Sequence, residues 1–328
     1  MISLDPSHMN KASATSHAVE RLPDFIIGGA MKSATTTIHS LLSHHPEVFI
    51  PKGEVLYFDV DEIAARPDNF SKINNEWLFP EYDSPQMSDW YRSHFAEAKE
   101  HQLVGEDSPT YLASEKAPQR IRNTLPDVKL IFTLRDPVER AYSHYWHYVR
   151  TGRVFFNFDD TIRYSPGNII QRGFYRVQLE RYLELFDASQ IKIIIFESFI
   201  RDPAQHLTSI CDFLNINHEV LDFTESHFNP GKVPRWLSPQ LMINRYLRRY
   251  AGRNQIERLP LQFKGVEETL WTKFLRRVHR TINPWSLQKP PKMASNTRRF
   301  LTRLYSKENR GLSELVGVDL SKHWNSIE

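Results

Sequence analysis

Cysteine is almost missing from this chain of 328 residues: Cys211 stands alone. No internal disulfide can form, and the composition does not call for an oxidising compartment. Cys211 falls in an apolar helical pattern and reads as a small buried hydrophobe. No run of about 18 apolar residues occurs, which leaves no candidate for a membrane-spanning helix. The first twenty residues lack the apolar core of a signal peptide, and their Ser, Asn, Lys and Thr content predicts a disordered leader over 1–20 ahead of a single domain over 21–328. The expectation from these absences is a soluble, cytoplasmic protein. The histidines have no spacing with cysteines or carboxylates that suggests zinc, so no metal site is expected. Internal repeats, a helix-turn-helix and RNA-binding signatures are also missing, and nucleic acid is not expected as a partner.

What is present begins at Phe25 to Leu42, FIIGGAMKSATTTIHSLL. An apolar strand runs into a glycine turn, a lysine and a hydroxyl cluster that opens a helix. Gly28 and Gly29 let the backbone turn, and the free N–H groups of the new helix face the same point as the Lys32 ammonium. Ser33, Thr35 and Thr36 add hydroxyl donors around Ala34. A nucleotide-triphosphate P-loop needs G-x-x-x-x-G-K-[ST], whereas Met31 precedes Lys32. The segment predicts binding of a phosphoryl or sulfuryl group and no particular reaction.

A second strand-to-helix unit lies at Lys129 to Tyr148, KLIFTLRDPVERAYSHYWHY. Asp136 is placed as N-cap, Pro137 at the first helical position, and Glu139 completes a capping-box pattern. Arg135 ends the strand, where its guanidinium can grip an anion with two parallel hydrogen bonds, and Ser143 lies two turns into the helix on a face that can point the same way. A P-loop ATPase would end this strand in an acidic residue to hold magnesium. Arginine there predicts a second phosphate site; a buried ion pair with Asp136 or Glu139 is the competing assignment.

Three apolar strands (Phe25 to Ile27, Leu130 to Leu134, Ile191 to Phe196), each followed by a helical pattern, predict an α/β fold with a parallel sheet flanked by helices and ligands at the strands' carboxyl ends. Net charge is only +3, yet Trp236 to Arg299 holds fourteen Lys and Arg against three Glu, a local excess of +11. This mainly helical stretch could be a solvated face, or could attract an anionic acceptor or a membrane surface, with Trp271, Phe274, Leu275 and Trp285 interleaved.

Taken in order, these segments resemble the PAPS-dependent sulfotransferases, nearest to the heparan-sulfate-type and bacterial branches. The resemblance runs along most of the chain: PKGEVLYFD (Pro51 to Asp59), VGEDSPTYL (Val104 to Leu112), RGFYRVQLERYLELF (Arg172 to Phe186), HFNPGKVPR (His227 to Arg235) and LVGVDLSKHW (Leu315 to Trp324) are each similar to a family segment. It implies a P-loop-like three-layer fold and sulfuryl transfer from 3′-phosphoadenosine 5′-phosphosulfate (PAPS), leaving PAP, without a metal. Lys32 to Thr36 would hold the 5′-phosphosulfate, Arg135 and Ser143 the 3′-phosphate, and Gly231, Lys232 and Arg235 a loop closing over the nucleotide. Glu54 would be general base towards an acceptor alcohol or amine, expected on a glycan or glycolipid, with Lys32 balancing the leaving phosphate. Ala34 departs from the family by replacing a glycine, and Gly53 by replacing a lysine. The small-molecule branch has its catalytic histidine near positions 106 to 108, which here are Glu106, Asp107 and Ser108. If Glu54 were structural, the base would be sought among Asp107, Glu106 and His144. A P-loop small-molecule kinase and a non-catalytic binder of anionic glycans or lipids remain as readings from other classes.

Overall fold

The computed structural model describes residues 21–63, 66–73, 75–220, 231–250, 258–261 and 268–326. The leader expected over 1–20, His227 to Pro230 and parts of the basic stretch lie outside them. Five strands form the central sheet: β1 (Phe25–Gly29), β2 (Val48–Phe49), β3 (Leu103–Asp107), β4 (Lys129–Leu134) and β5 (Ile191–Ile195). Their order is β2-β3-β1-β4-β5 and every pairing is parallel, with Phe25 opposite both Gly105 and Lys129. The three strands expected from apolar runs are there.

Alternation along the strands builds two cores. Ile26, Leu130, Phe132 and Leu134 point to one face, against Tyr111 and against Tyr175, Leu179 and Tyr182 of α3 (Tyr175–Leu183). Phe25, Ile27, Ile131 and Ile194 point to the other, against Ile38, Leu41 and Leu42 of α1 (Thr35–Leu42) and Leu207, Ile210 and Leu214 of α4 (Pro203–Leu214). A sheet covered on both faces reads as unbroken hydrophobic runs, each buried Ile or Phe contributing about 1.5–3 kcal/mol. Cys211 is fully buried in the second core, as its setting predicts. Among the described residues, no helix is long and apolar enough to cross a membrane.

The chain leaves β1 towards β2 and leaves β4 towards β5. The following helices diverge, and a crevice opens outside the carboxyl ends of β1 and β4. After β4 comes α2 (Pro137–Thr151), which starts at Asp136, whose carboxylate accepts from the N–H groups of Val138 at 2.9 Å and Glu139 at 3.3 Å, and ends at Gly152 in the left-handed region (φ 78°). The capping box expected from Glu139 is not formed. The Asp136 N–H donates to Glu197 at 3.0 Å, Trp324 donates its indole N–H to the same carboxylate at 2.7 Å, and Glu139 turns away to pair with Arg298 at 2.6 Å. Glu139 is thereby free of the backbone and stands on the crevice wall. The other face of α2, with Val138, Ala141, Tyr145 and Val149, packs on Leu301 and Tyr305 of the helix Ser295–Glu308.

Candidate active site

The loop from β1 to α1 is wound by unexpected residues. Gly28 does not supply left-handed backbone; a Cβ there would lie 2.6 Å from the Phe132 ring, so its role is to let β1 sit against β4. The positive-φ positions of the turn are Gly29 (φ 145°), as expected, and with it Lys32 (φ 70°) and Ala34 (φ 71°). Non-glycine residues in that region cost about 1–2 kcal/mol each and gather at ligand clamps. Ala34 offers no capping side chain, so the first N–H groups of α1 are left to face whatever the loop encloses. Ser33 is buried with no hydrogen-bond partner for its hydroxyl among the described residues.

Lys32 lines the crevice, and burial, followed by the nearby Arg150 and Arg135 charges, lowers its pKa to about 8. Arg135 stands beside it at the end of β4. Its Nη1 donates to the Lys32 carbonyl at 3.1 Å, its plane lies 4.7 Å from the centre of the Phe196 ring, and its own carbonyl accepts from the Tyr175 hydroxyl at 2.9 Å. Among the described residues neither Lys32 nor Arg135 makes a salt bridge, so the competing ion pair with Asp136 or Glu139 does not form; those carboxylates are engaged by backbone and Arg298. Burial lowers the Arg135 pKa as well. Lys32 feels the Glu54 charge and Arg135 those of Glu197, Glu139 and Asp136, but neither is held in a salt bridge among the described residues, which suits the pair to binding an anion. Ser143 lines the same wall, with His147 and Arg150 one and two turns further along α2.

Opposite them is Glu54. The chain around it is bound to the end of β3: the Val55 N–H donates to the Asp107 carbonyl at 3.1 Å and the Leu56 N–H to the Ser108 hydroxyl at 2.8 Å. That anchoring turns Glu54 into the crevice, where burial and then the Asp107 carboxylate raise its pKa, against the pull of Arg66, Arg258 and Lys32. The three fallback bases are placed differently. Glu106 is buried under three hydroxyl donors, Ser108 at 2.6 Å, Tyr111 at 2.5 Å and Tyr91 at 2.8 Å. His144 is buried against Arg140 at 3.3 Å, its pKa driven well down by burial and then Arg172. Asp107 meets His39 Nδ1 at 3.2 Å and is buried behind Glu54. None of the three lines the crevice.

The crevice measures about 1680 Å³, and among the described residues its wall carries twelve lysines and arginines against four acids, Glu54, Asp68, Glu139 and Glu268. Gly231 and Lys232 are on the wall, next to a short strand pair that joins Val233 to Ser286. Arg235 is not; it lies over the Trp236 ring, 4.5 Å from its centre. Sequence reasoning missed Arg66, Arg150, Arg153 and Arg172. Arg150 follows Ser143 by seven residues, a helical spacing that could have revealed it. Arg172, against the Met31 sulfur and 2.9 Å from Asn168, opens the RGFY segment but carries no pattern of its own.

The fold and site define an α/β protein with two buried cations, Lys32 and Arg135, at the switch point of a parallel sheet. Comparison with known proteins gives the family: the profile of the Sulfotransferase family matches residues 23–219, and the chain belongs to that family. It is 26% identical over 247 residues to heparan sulfate glucosamine 3-O-sulfotransferase 5 of Mus musculus, covering 72% of this chain and 65% of the relative. To heparan sulfate glucosamine 3-O-sulfotransferase 3A1 of Mus musculus it is 29% identical over 217 residues, 64% of this chain and 49% of the relative. The crystal structure of a sulfotransferase from Alicyclobacillus acidocaldarius shares the fold, with a TM-score of 0.60 at 24% identity over 92% of this chain and 98% of that one.

Proposed function

We propose that the protein is a PAPS-dependent sulfotransferase acting on a hydroxyl or amine of an anionic glycan or glycolipid. The observation that carries the reading is the pair of buried cations, Lys32 and Arg135, outside any salt bridge among the described residues, joined by one hydrogen bond across the ends of adjacent strands and faced by a carboxylate of raised pKa. A donor with phosphate groups at both ends of its ribose matches two such sites, and the crevice-lining Thr35 and Thr36 with the uncapped N–H groups of α1 match the rest of a phosphosulfate, while Ser33 is buried behind the wall. When bound, PAPS supplies a sulfuryl group on a phosphate leaving group. Glu54 takes the acceptor's proton as the acceptor oxygen or nitrogen bonds to sulfur, and its raised pKa makes it the stronger base. Lys32 and the α1 N–H groups offset the charge left on the phosphate oxygen as its bond to sulfur breaks. Arg135 and Ser143 hold the 3′-phosphate, and Lys232 covers it from the loop side.

The acceptor class is supported by the excess of cations around the cleft and by the names of the heparan sulfate relatives. The test is to incubate the protein with sulfur-labelled PAPS and a panel of anionic and neutral glycans. Label should follow an anionic glycan, and Lys32→Ala should abolish it. Transfer of labelled phosphate from ATP in its place would make the protein a kinase and overturn the reading.

A further inference from the structure

The helix Leu270–Ile282 is built inside out. Its inward contacts are polar: Thr272 is buried, His279 Nε2 meets Gln240 Oε1 at 3.1 Å, and Asn283 just beyond the helix exchanges hydrogen bonds of 2.7 and 2.9 Å with the Trp236 backbone. The apolar residues face water instead, with Leu270 86%, Trp271 61%, Phe274 56% and Ile282 60% exposed and Val278 between them. At the α-helical repeat these five fall within one arc of about 120°. A surface helix of a globular protein turns such a stripe to the core; here it is left to solvent.

Charge says what the stripe meets. Lys273, Arg277 and Arg280, all exposed, run along one edge of it. Arg276, further round, pairs with Glu268, and both stand on the wall of the active-site cleft, so the helix's basic edge continues into the cleft rim. A second copy of the chain would set these cations against themselves, which disfavours self-association through this face.

We propose that Leu270–Ile282 is an in-plane anchor for an anionic lipid bilayer. Leu270, Trp271, Phe274, Val278 and Ile282 enter the acyl boundary, and Lys273, Arg277 and Arg280 lie among the headgroup phosphates. Docked this way, the cleft rim at Arg276 sits at headgroup level. The inference does not depend on the transferase reading.

The full chain is tested by flotation with phosphatidylcholine vesicles with and without about 30% phosphatidylglycerol. It should float with the anionic vesicles only, and the bound fraction should fall as salt is raised to about 0.5 M. The double variant Trp271→Glu, Phe274→Glu should lose binding by about tenfold or more with circular dichroism and thermal unfolding unchanged, and Lys273→Glu, Arg277→Glu, Arg280→Glu should lose the preference for anionic lipid. No flotation at low salt, or equal flotation of the Trp271 and Phe274 variant, overturns the proposal. A concentration-dependent dimer that this variant splits also overturns it, assigning the stripe to a second copy.

Discussion

The Arg135 guanidinium donates to the carbonyl oxygen of Lys32 at 3.1 Å, so the residue just after β4 braces the left-handed backbone of Lys32 in the loop after β1. One hydrogen bond thus ties together the two cations to which the proposed function assigns the donor's phosphates. The same bond couples the two sites: a change at Arg135 loosens the Lys32 loop as well as removing a charge.

Lys32→Ala is expected to fold and to lose about two to three orders of magnitude in turnover, the range for removing one donor to developing charge. Initial rates at saturating PAPS check it, alongside circular dichroism. Near wild-type turnover would show that the lysine is not at the reacting centre.

Glu54→Gln keeps the shape of the side chain and removes its basicity. Turnover should fall by about 10²–10⁴ while affinity for PAP barely changes. Weakened PAP binding with an intact rate at saturating donor would make Glu54 structural. None of the three fallback bases stands on the crevice wall, since Glu106, Asp107 and His144 are all buried away from it.

The lowered pKa of Lys32, about 8, sets the pH dependence of donor binding. The charged form binds the anion, so PAP affinity should be level below pH about 7 and decline through pH about 9 as the lysine loses its proton in the free protein. Lys32→Arg keeps its charge throughout and should flatten that decline in calorimetric titrations. An unchanged decline in this variant would place the titrating group elsewhere.

Burial raises Glu106 to about 7 against an ordinary value of 4.5. Folding therefore favours its protonated form. The resulting stabilisation, on the order of 3 kcal/mol, is fully present below pH about 4.5 and is lost as pH rises through about 7. Scanning calorimetry over that range should show the wild-type transition falling relative to that of Glu106→Gln. Parallel curves would mean that the three hydroxyl donors hold the carboxylate ionised.

The strands and the two strand-to-helix turns that carry Lys32 and Arg135 were legible because each combines an apolar run with a helix start, and both signals are local. β3 was not identified as a strand, since Glu106 and Asp107 make it look polar; the three hydroxyls on Glu106 come from Ser108 and Tyr111 just after the strand and from Tyr91 on a helix ahead of it, a convergence that no local pattern announces. The capping box at Glu139 failed for a similar reason. Glu197, far along the chain and itself accepting from the Trp324 indole N–H, accepts the Asp136 N–H by tertiary contact. Glu54, which the structure places on the crevice wall, was singled out through the resemblance alone, because a lone carboxylate beside a turn carries no periodic signal. The isolated arginines at 66, 153 and 172 were invisible for the same reason. The exposed apolar face of Leu270–Ile282 had a sequence signature in its interleaved aromatics, but only the polar inward contacts of His279 and Asn283 say which way it faces.

The central claim is that Lys32 and Arg135 form two phosphate sites for one nucleotide, and titration calorimetry with PAP and with 5′-AMP tests it without needing an acceptor. PAP should bind about 10- to 100-fold more tightly than 5′-AMP, and Arg135→Ala should remove most of that difference while sparing 5′-AMP far more. Equal affinity of the wild-type protein for the two nucleotides would contradict the account.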